Sequence, residues 1–300
     1  MRDARVLRMA VPSPLYRDFD YLPPAGVDPS ALSPGVRLKL PFGRREVVGV
    51  LLETAAKAQV AEGKLRAARR LLDEAPVIPA DMLALARWAA DYYRHPLGEV
   101  LQTLLPVLLR QGRPAAAPGM PLWRLSATGR AADTSALARA PRQQALHARL
   151  LAQPEGMLSS ELKDDAIALR ALAKRGWVER AIRTASAQAT AAVQAGAAPN
   201  PAQEKAAAEI TAAMGSYRAF LLDGVTGSGK TEVYMAAIAA AVARGQQALV
   251  LLPEINLTPQ TLARFRARFG EVAAFHSGLS ESERLAVWLA ARDGRAAVIV

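Results

Sequence analysis

Short apolar runs separated by Gly and Pro fill the first 55 residues. Residues 6–11 read as one strand and 19–22 as a second, stopped by Pro23-Pro24. Residues 36–40, Val-Arg-Leu-Lys-Leu, alternate apolar and polar at a period of two, as a half-buried strand does. Pro41-Phe42-Gly43-Arg44 reads as a turn, and 47–52 as a further strand. Residues 64–73 add another strand or an irregular segment. Together these predict a small barrel or curved sheet. From Pro79 the period becomes helical, with Met82, Leu85, Ala86, Ala89, Tyr92 and Tyr93 recurring, and a second helix carries Val100, Leu101, Leu104 and Leu105. Trp88, Tyr92 and Tyr93 are expected in the core rather than as stacking platforms.

Residues 111–121, rich in Pro and Gly, form a candidate linker. A compact pattern follows over 141–183: a helix at 142–151, a short helix opened by Ser159-Ser160, a helix at 166–174 and a strand at 177–182. That order is the outline of a winged helix, whose third helix here carries Arg170, Lys174 and Arg175. A DNA-reading role and a purely packing role are both open for it. Residues 184–201 are a linker of Ala, Gln and Pro without periodicity. Beyond it, buried strands are expected at 217–222, 248–252 and 296–300. Helices are expected at 232–243, 261–269 and 280–291. The arrangement is a parallel α/β sheet with right-handed crossovers.

Sharp chemistry lies in that last region. Gly224-Val225-Thr226-Gly227-Ser228-Gly229-Lys230-Thr231 satisfies every fixed position of a phosphate-binding loop. Its glycines allow backbone N–H groups to turn inward around phosphates, and the following helix adds its positive end. Lys230 is suited to the β- and γ-phosphates of ATP, and the Thr231 hydroxyl to Mg²⁺. No acidic magnesium-side segment appears before Val300, so these residues are expected to be a piece of a larger hydrolase.

Composition adds two points. The absence of Cys excludes a disulfide framework, a thiol nucleophile and any Cys-ligated zinc within these residues. Residues 1–185 hold 28 of the 38 Lys and Arg and 18 of the 27 Asp and Glu, so +10 of the net +11 lies there. That excess favours nucleic acid first and anionic lipid second, against a background of Arg-rich, Ala-rich usage. No long apolar run follows Met1-Arg2-Asp3, and none reaches the length of a membrane span. A cytoplasmic protein without membrane association is expected.

The residues 223–234, Leu252-Pro253-Glu254-Ile-Asn-Leu-Thr258-Pro-Gln260 and His276-Ser277-Gly278-Leu279 resemble the PriA family of replication-restart helicases. Phe19-Asp20-Tyr21, Pro41-Phe42-Gly43, the run from Trp88 to Pro96 and the run from Leu108 to Pro114 extend the resemblance to the N-terminus, with 115–200 its weakest stretch. The resemblance implies a multidomain chain. A β-rich DNA 3′-end-binding domain would span 1–112, a winged helix 120–184, a linker 185–200, and a truncated α/β first helicase lobe 201–300. It implies an ATP-dependent 3′→5′ DNA helicase that recognises forked DNA and initiates restart and primosome assembly. Phe19, Asp20, Tyr21, Gly43 and Lys64 would form the 3′-end pocket, with Asp20 accepting a hydrogen bond from a free 3′-OH and an aromatic ring stacking on the base. Strand packing is the other role open to Phe19 and Tyr21. Gln203 would recognise adenine, or serve only as a polar helix-start residue. Pro253, Glu254, Thr258, Gln260, His276 and Ser277 would meet single-stranded DNA, though His276 also reads as an ordinary loop histidine. Other primosome proteins and single-strand-binding protein are implied as partners. Zinc, the acidic ATPase motif, the second lobe and an arginine finger would lie beyond Val300. A non-enzymatic fork-binding module whose nucleotide site binds without turnover is the alternative. His95 and His147 are expected to be structural or exposed.

Overall fold

The computed structural model describes residues 6–116, 120–183, 198–225, 227–253, 258–270 and 272–300. The chain divides into two compact units, residues 1–116 and 117–300.

The first unit is built on strands β1 (Val6–Ala10), β2 (Phe19–Leu22), β3 (Arg37–Phe42), β4 (Arg45–Ala55), β5 (Arg66–Ala67) and β6 (Arg70–Leu71). They form one sheet in the order β5-β2-β1-β4-β3-β6. A two-residue turn, Gly43-Arg44, joins β3 to β4, and Gly43 takes φ 61°, which a side chain would disfavour. Pro41 and Phe42 thus belong to the strand and not to the turn. The Ala68 N–H donates to the Leu22 carbonyl beside β2, and the Arg69 N–H to the Lys39 carbonyl on β3. Consecutive residues therefore bond opposite edges, and the sheet closes on itself. Leu7, Met9, Val36, Leu38, Leu40 and Leu51 fill its interior.

Three helices, α1 (Ala80–Tyr93), α2 (Leu97–Leu104) and α3 (Val107–Arg110), follow the sheet. On α1 the buried positions are Leu83, Ala86 and Ala90. Trp88, Tyr92 and Tyr93 are instead exposed, at 55%, 66% and 69%, and pack on each other with ring centroids 4.9–6.5 Å apart. The expectation of a core role for them fails because the stripe of Leu83, Ala86 and Ala90 already seats the helix, and these rings lie off it.

Arg37 ties sheet and helices together. It is fully buried, and its Nε and Nη2 grip both oxygens of Asp73 at 2.8 and 2.6 Å. Its remaining reach goes to the Leu109 and Arg113 carbonyls at 2.5 and 3.0 Å.

The second unit opens with β7 (Met120–Leu125), α4 (Ala127–Arg130), α5 (Pro141–Leu151), β8 (Met157–Leu158), α6 (Ala166–Lys174) and β9 (Val178–Arg183). The strands pair in the order β8-β7-β9, antiparallel throughout. The expected linker over 111–121 therefore ends earlier, because Met120 already pairs with Arg183. Leu125, Leu137, Leu146, Leu150, Leu162 and Leu172 make the core. His147 is buried within this part, 2.7 Å from the Gly129 carbonyl, while His95 is exposed beside Glu99. The linker expected at 185–200 lies outside the described residues except 198–200.

Then follow α7 (Pro201–Ala212), α8 (Lys230–Ala243), β10 (Ala248–Leu249), α9 (Pro259–Phe269), α10 (Glu281–Arg292) and β11 (Val298–Ile299). Strands β10 and β11 pair in parallel, and Ala273 bridges to Ile299 in parallel as well. Residues 217–222 do not form the buried strand expected of them. Tyr217 and Leu221 are 97% and 93% exposed, and no strand among the described residues lies beside them to complete a ladder. The strand expected at 248–252 is likewise short. It is paired only toward β11, which leaves Leu249 and Leu251 open to solvent. Phe265 and Phe269 of α9 pack with Met235 and Ile238 of α8 to form the core of this part.

Removing Asp73 would strand a buried guanidinium without its counter-charge. Asp73→Ala is expected to cost about 3–5 kcal/mol of unfolding free energy, measured by urea titration. A loss below about 1 kcal/mol would show that water reaches Arg37.

Candidate functional site

The five sequence-selected residues of the first unit come together. Phe19, Asp20, Tyr21, Gly43 and Lys64 all line one cleft of about 340 Å³, beside Arg17, Asp18, Phe42, Gln59 and Arg66. They do not share one role. The Tyr21 ring is buried in the core and its hydroxyl donates to the Pro41 carbonyl at 3.1 Å, so it packs the strand, and burial pushes its phenol above the usual range. Phe19 meets Phe42 edge to face at 5.2 Å, and the Arg17 guanidinium lies 5.0 Å over the Phe19 ring. The Asp20 side chain is 1% exposed: Oδ1 accepts from Arg8 Nε at 3.2 Å, and Oδ2 accepts from the Gln59 N–H. An ionised carboxylate has further lone pairs to offer. A Cβ on Gly43 would meet nothing within 4 Å, and the Gly43 carbonyl accepts from Arg66 at 3.4 Å.

Arg17, Asp18, Gln59 and Arg66 were not singled out from sequence. Arg17 had no strand signal, because it lies in a bend before β2. Gln59 had none, because only sheet closure brings its loop to Asp20. Burial pushes the Asp18 carboxyl above the usual carboxylate range, partly offset by Arg87 and Arg8.

The phosphate loop stands at the N-terminus of the fourteen-residue helix α8, whose N-cap is Gly229. Gly227 and Gly229 both have φ of 82°. That φ disfavours a side chain at Gly229, and a Cβ there would also displace the Gln203 amide, whose Nε2 lies 2.2 Å from its position. Gln203 and Asn200 cap α7 reciprocally, with Gln203 N–H on Asn200 Oδ1 and Asn200 N–H on Gln203 Oε1, both at 2.9 Å. The same cap aims Gln203 Nε2 at the Ser228 carbonyl, 3.0 Å away. Lys230 Nζ folds back on the Gly224 and Val225 carbonyls. Thr231 Oγ1 accepts from the Tyr234 hydroxyl at 3.0 Å. The loop thus holds an ammonium inside a glycine turn at a helix N-terminus, and these residues fit a polyphosphate. Thr226 lies outside the described residues.

The remaining selected residues separate. Thr258 caps α9, accepting from the Thr261 N–H at 3.2 Å, and Gln260 is exposed in its first turn. Pro253 is exposed after β10, and Glu254 lies outside the described residues. His276 and Ser277 line a second cleft of about 350 Å³, with Phe275 and Arg284, beyond the ends of β10 and β11. His276 Nδ1 accepts from the Gly278 N–H at 3.2 Å. Pro253, Thr258 and Gln260 do not line that cleft. No group of three or more His, Cys, Asp or Glu is placed to hold a metal among the described residues, and none of their helices is long and apolar enough to cross a membrane.

Residues 8–106 match the family profile described as 3'DNA-binding domain (3'BD), and residues 200–300 the one described as DEAD/DEAH box helicase. The class is a 3'DNA-binding domain joined to a domain of the DEAD/DEAH box helicase type. A Haemophilus influenzae protein named Replication restart protein PriA is 35% identical over 308 residues, covering 99% of this chain and 41% of that protein. A Chlamydia pneumoniae protein of the same name is 28% identical over 97% of this chain and 40% of its own length. One from Bacillus subtilis is 55% identical over 73 residues, 24% of this chain and 9% of that protein. The chain belongs to the PriA family of replication restart proteins and spans about two fifths of the H. influenzae and C. pneumoniae relatives.

Because burial raises the Asp18 pKa, the folded state binds that proton more tightly than the unfolded chain does. The stabilisation from this is complete below the unfolded pKa and is lost as pH rises through the folded one. Asp18→Asn is therefore expected to raise the thermal midpoint at about pH 7 and to leave it unchanged near pH 3. Equal midpoints at pH 7 would show a fully solvated carboxyl.

Proposed function

We propose that this chain serves an ATP-dependent 3′→5′ DNA helicase that recognises forked DNA through the 3′ end of the nascent strand and initiates replication restart. The observation that carries this is the first-unit cleft, where residues from 17 to 66 converge with cations at its lip and carboxylates within. The Phe19 ring stacks on a terminal base, while Lys64, Arg17 and Arg66 meet its phosphates. Asp20 and its neighbour Asp18 favour a hydroxyl over a further phosphate at the chain end.

Residues 120–184 act as a winged helix, with Arg170 and Lys174 exposed on its third helix. The segment 201–300 acts as the first helicase lobe. There Lys230 and the loop from Gly224 to Gly229 hold the phosphates of ATP, Thr231 holds Mg²⁺, and Gln203 recognises adenine. Pro253, Glu254, Thr258, Gln260, His276 and Ser277 meet the single strand. Primosome proteins and single-strand-binding protein are the partners, in the cytoplasm.

Two measurements test this. Lys230→Ala in the whole protein is expected to abolish ATP turnover, because the γ-phosphate loses its side-chain cation, and to leave fork binding intact. Turnover within about twofold of wild type would remove the nucleotide assignment. Forks differing only in a 3′-OH or 3′-phosphate on the leading arm are expected to differ about five- to a hundredfold in affinity, from about 1–3 kcal/mol of repulsion and lost hydrogen bonding. Equal affinities would reduce the cleft to a generic basic surface.

A further inference from the structure

Glu232 is the residue immediately after Lys230-Thr231, in the first turn of α8. Both of its oxygens are taken by one neighbouring helix. Arg264 Nη2 donates to Oε1 and Arg268 Nη1 to Oε2, each at 3.1 Å. Arg264 and Arg268 are four residues apart and so lie on one face of α9. Packing holds the two helices together beneath this clasp, through Met235 and Ile238 against Phe265 and Phe269. The other end of α9 is the Thr258 cap, with Gln260 in the first turn. Arg264 stands six residues further on, about 9 Å along the helix axis. One rigid helix therefore links the phosphate loop to the segment assigned to the single strand.

The clasp is only partly used. Arg268 Nε is buried and has no hydrogen-bond partner, while its Nη1 holds Glu232. Arg264 is well exposed, whereas Glu232 and Arg268 are largely covered. A carboxylate gripped monodentately by two guanidiniums on successive turns has a second arrangement close by, with Arg268 engaged through both Nε and Nη.

We infer that Glu232 is a positioning residue that couples nucleotide at the phosphate loop to single-stranded DNA at the start of α9, through Arg264 and Arg268. This rests on the assignment of ATP to the loop and of the single strand to Thr258 and Gln260. Glu232 touches neither ligand. It converts a shift of the first turn of α8 into a displacement of Thr258 and Gln260. Coupling of this kind is reciprocal: nucleotide changes DNA affinity by the same factor as DNA changes nucleotide affinity.

The test measures oligonucleotide affinity of the whole protein with and without a non-hydrolysable ATP analogue, and analogue affinity with and without oligonucleotide. Wild type is expected to show a factor of about five or more. Glu232→Gln keeps the side-chain shape, and Arg264→Gln alters only an exposed residue. Both are expected to bring the factor to within about twofold of unity while each ligand alone binds within about twofold of wild type. Arg268→Lys keeps the cation but cannot engage the carboxylate through two nitrogens, and it is expected to lower the factor as Glu232→Gln does. A retained factor in Glu232→Gln and Arg264→Gln overturns the inference, as does a parallel loss of both affinities with the factor intact, the signature of a merely structural pair. A wild type that binds both ligands without coupling overturns the inference and leaves the site assignments standing. A wild type that binds no nucleotide overturns the assignments as well.

Discussion

The first unit depends on one buried ion pair. Arg37 sits on β3, Asp73 lies just beyond β6, and the Leu109 and Arg113 carbonyls belong to the chain leaving α3. The pair therefore pins the segment that closes the sheet, and it also pins the exit of the domain. Closure is what brings Lys64 and Arg66 opposite Phe19 and Gly43. Two charges taken out of water are costly, and here four hydrogen bonds from one guanidinium offset that cost. A hydrophobic pair of equal volume could not satisfy two backbone carbonyls at once, so polar satisfaction accounts for a fully buried arginine in a small β-domain.

The second unit solves a comparable problem with a helix cap. Gln203 closes the Asn200 capping box at the start of α7 and, with its amide nitrogen, meets the Ser228 carbonyl. One side chain thus sets the start of a helix and the wall of the phosphate loop. Gly229 owes its identity to its φ of 82°, which side chains rarely adopt. The hydrogen bond from Gln203 to Ser228 couples the two elements, so loop geometry depends on a residue more than twenty positions upstream.

Local signals made much of this legible. The period-two run at 36–40, the glycine at the β3–β4 turn and the phosphate-loop glycines each report a backbone requirement that only certain residues meet. What stayed hidden was non-local. Helical spacing placed an apolar stripe on α1 but not which of two overlapping stripes is buried. Leu83, Ala86 and Ala90 form the buried stripe, and Trp88, Tyr92 and Tyr93 lie off it and pack on one another instead. The apolar runs at 217–222 and 248–252 read as buried strands, yet a ladder needs a neighbour, and one run alone cannot say whether it has one. The pocket residues were legible as a motif, but their division of labour was not. Tyr21 spends its ring on the core, and Asp20 spends two acceptor positions on Arg8 and Gln59.

That division bears on how a basic cleft can be selective. Cations alone, such as Arg17, Lys64 and Arg66, attract any phosphate and so bind internal backbone as readily as an end. A carboxylate placed among them changes the balance. At about 4 Å and an effective dielectric of about 20, two like charges repel by about 4 kcal/mol, against about 1 in water. Asp20 is covered by its partners, and burial raises the pKa of Asp18, so part of this cost is already built into the fold. In the proposed role the acids weaken phosphate binding in the cleft and accept a hydrogen bond from a terminal hydroxyl. In the proposed role, selectivity for a strand end comes from giving up some of the affinity that the surrounding arginines and lysine supply.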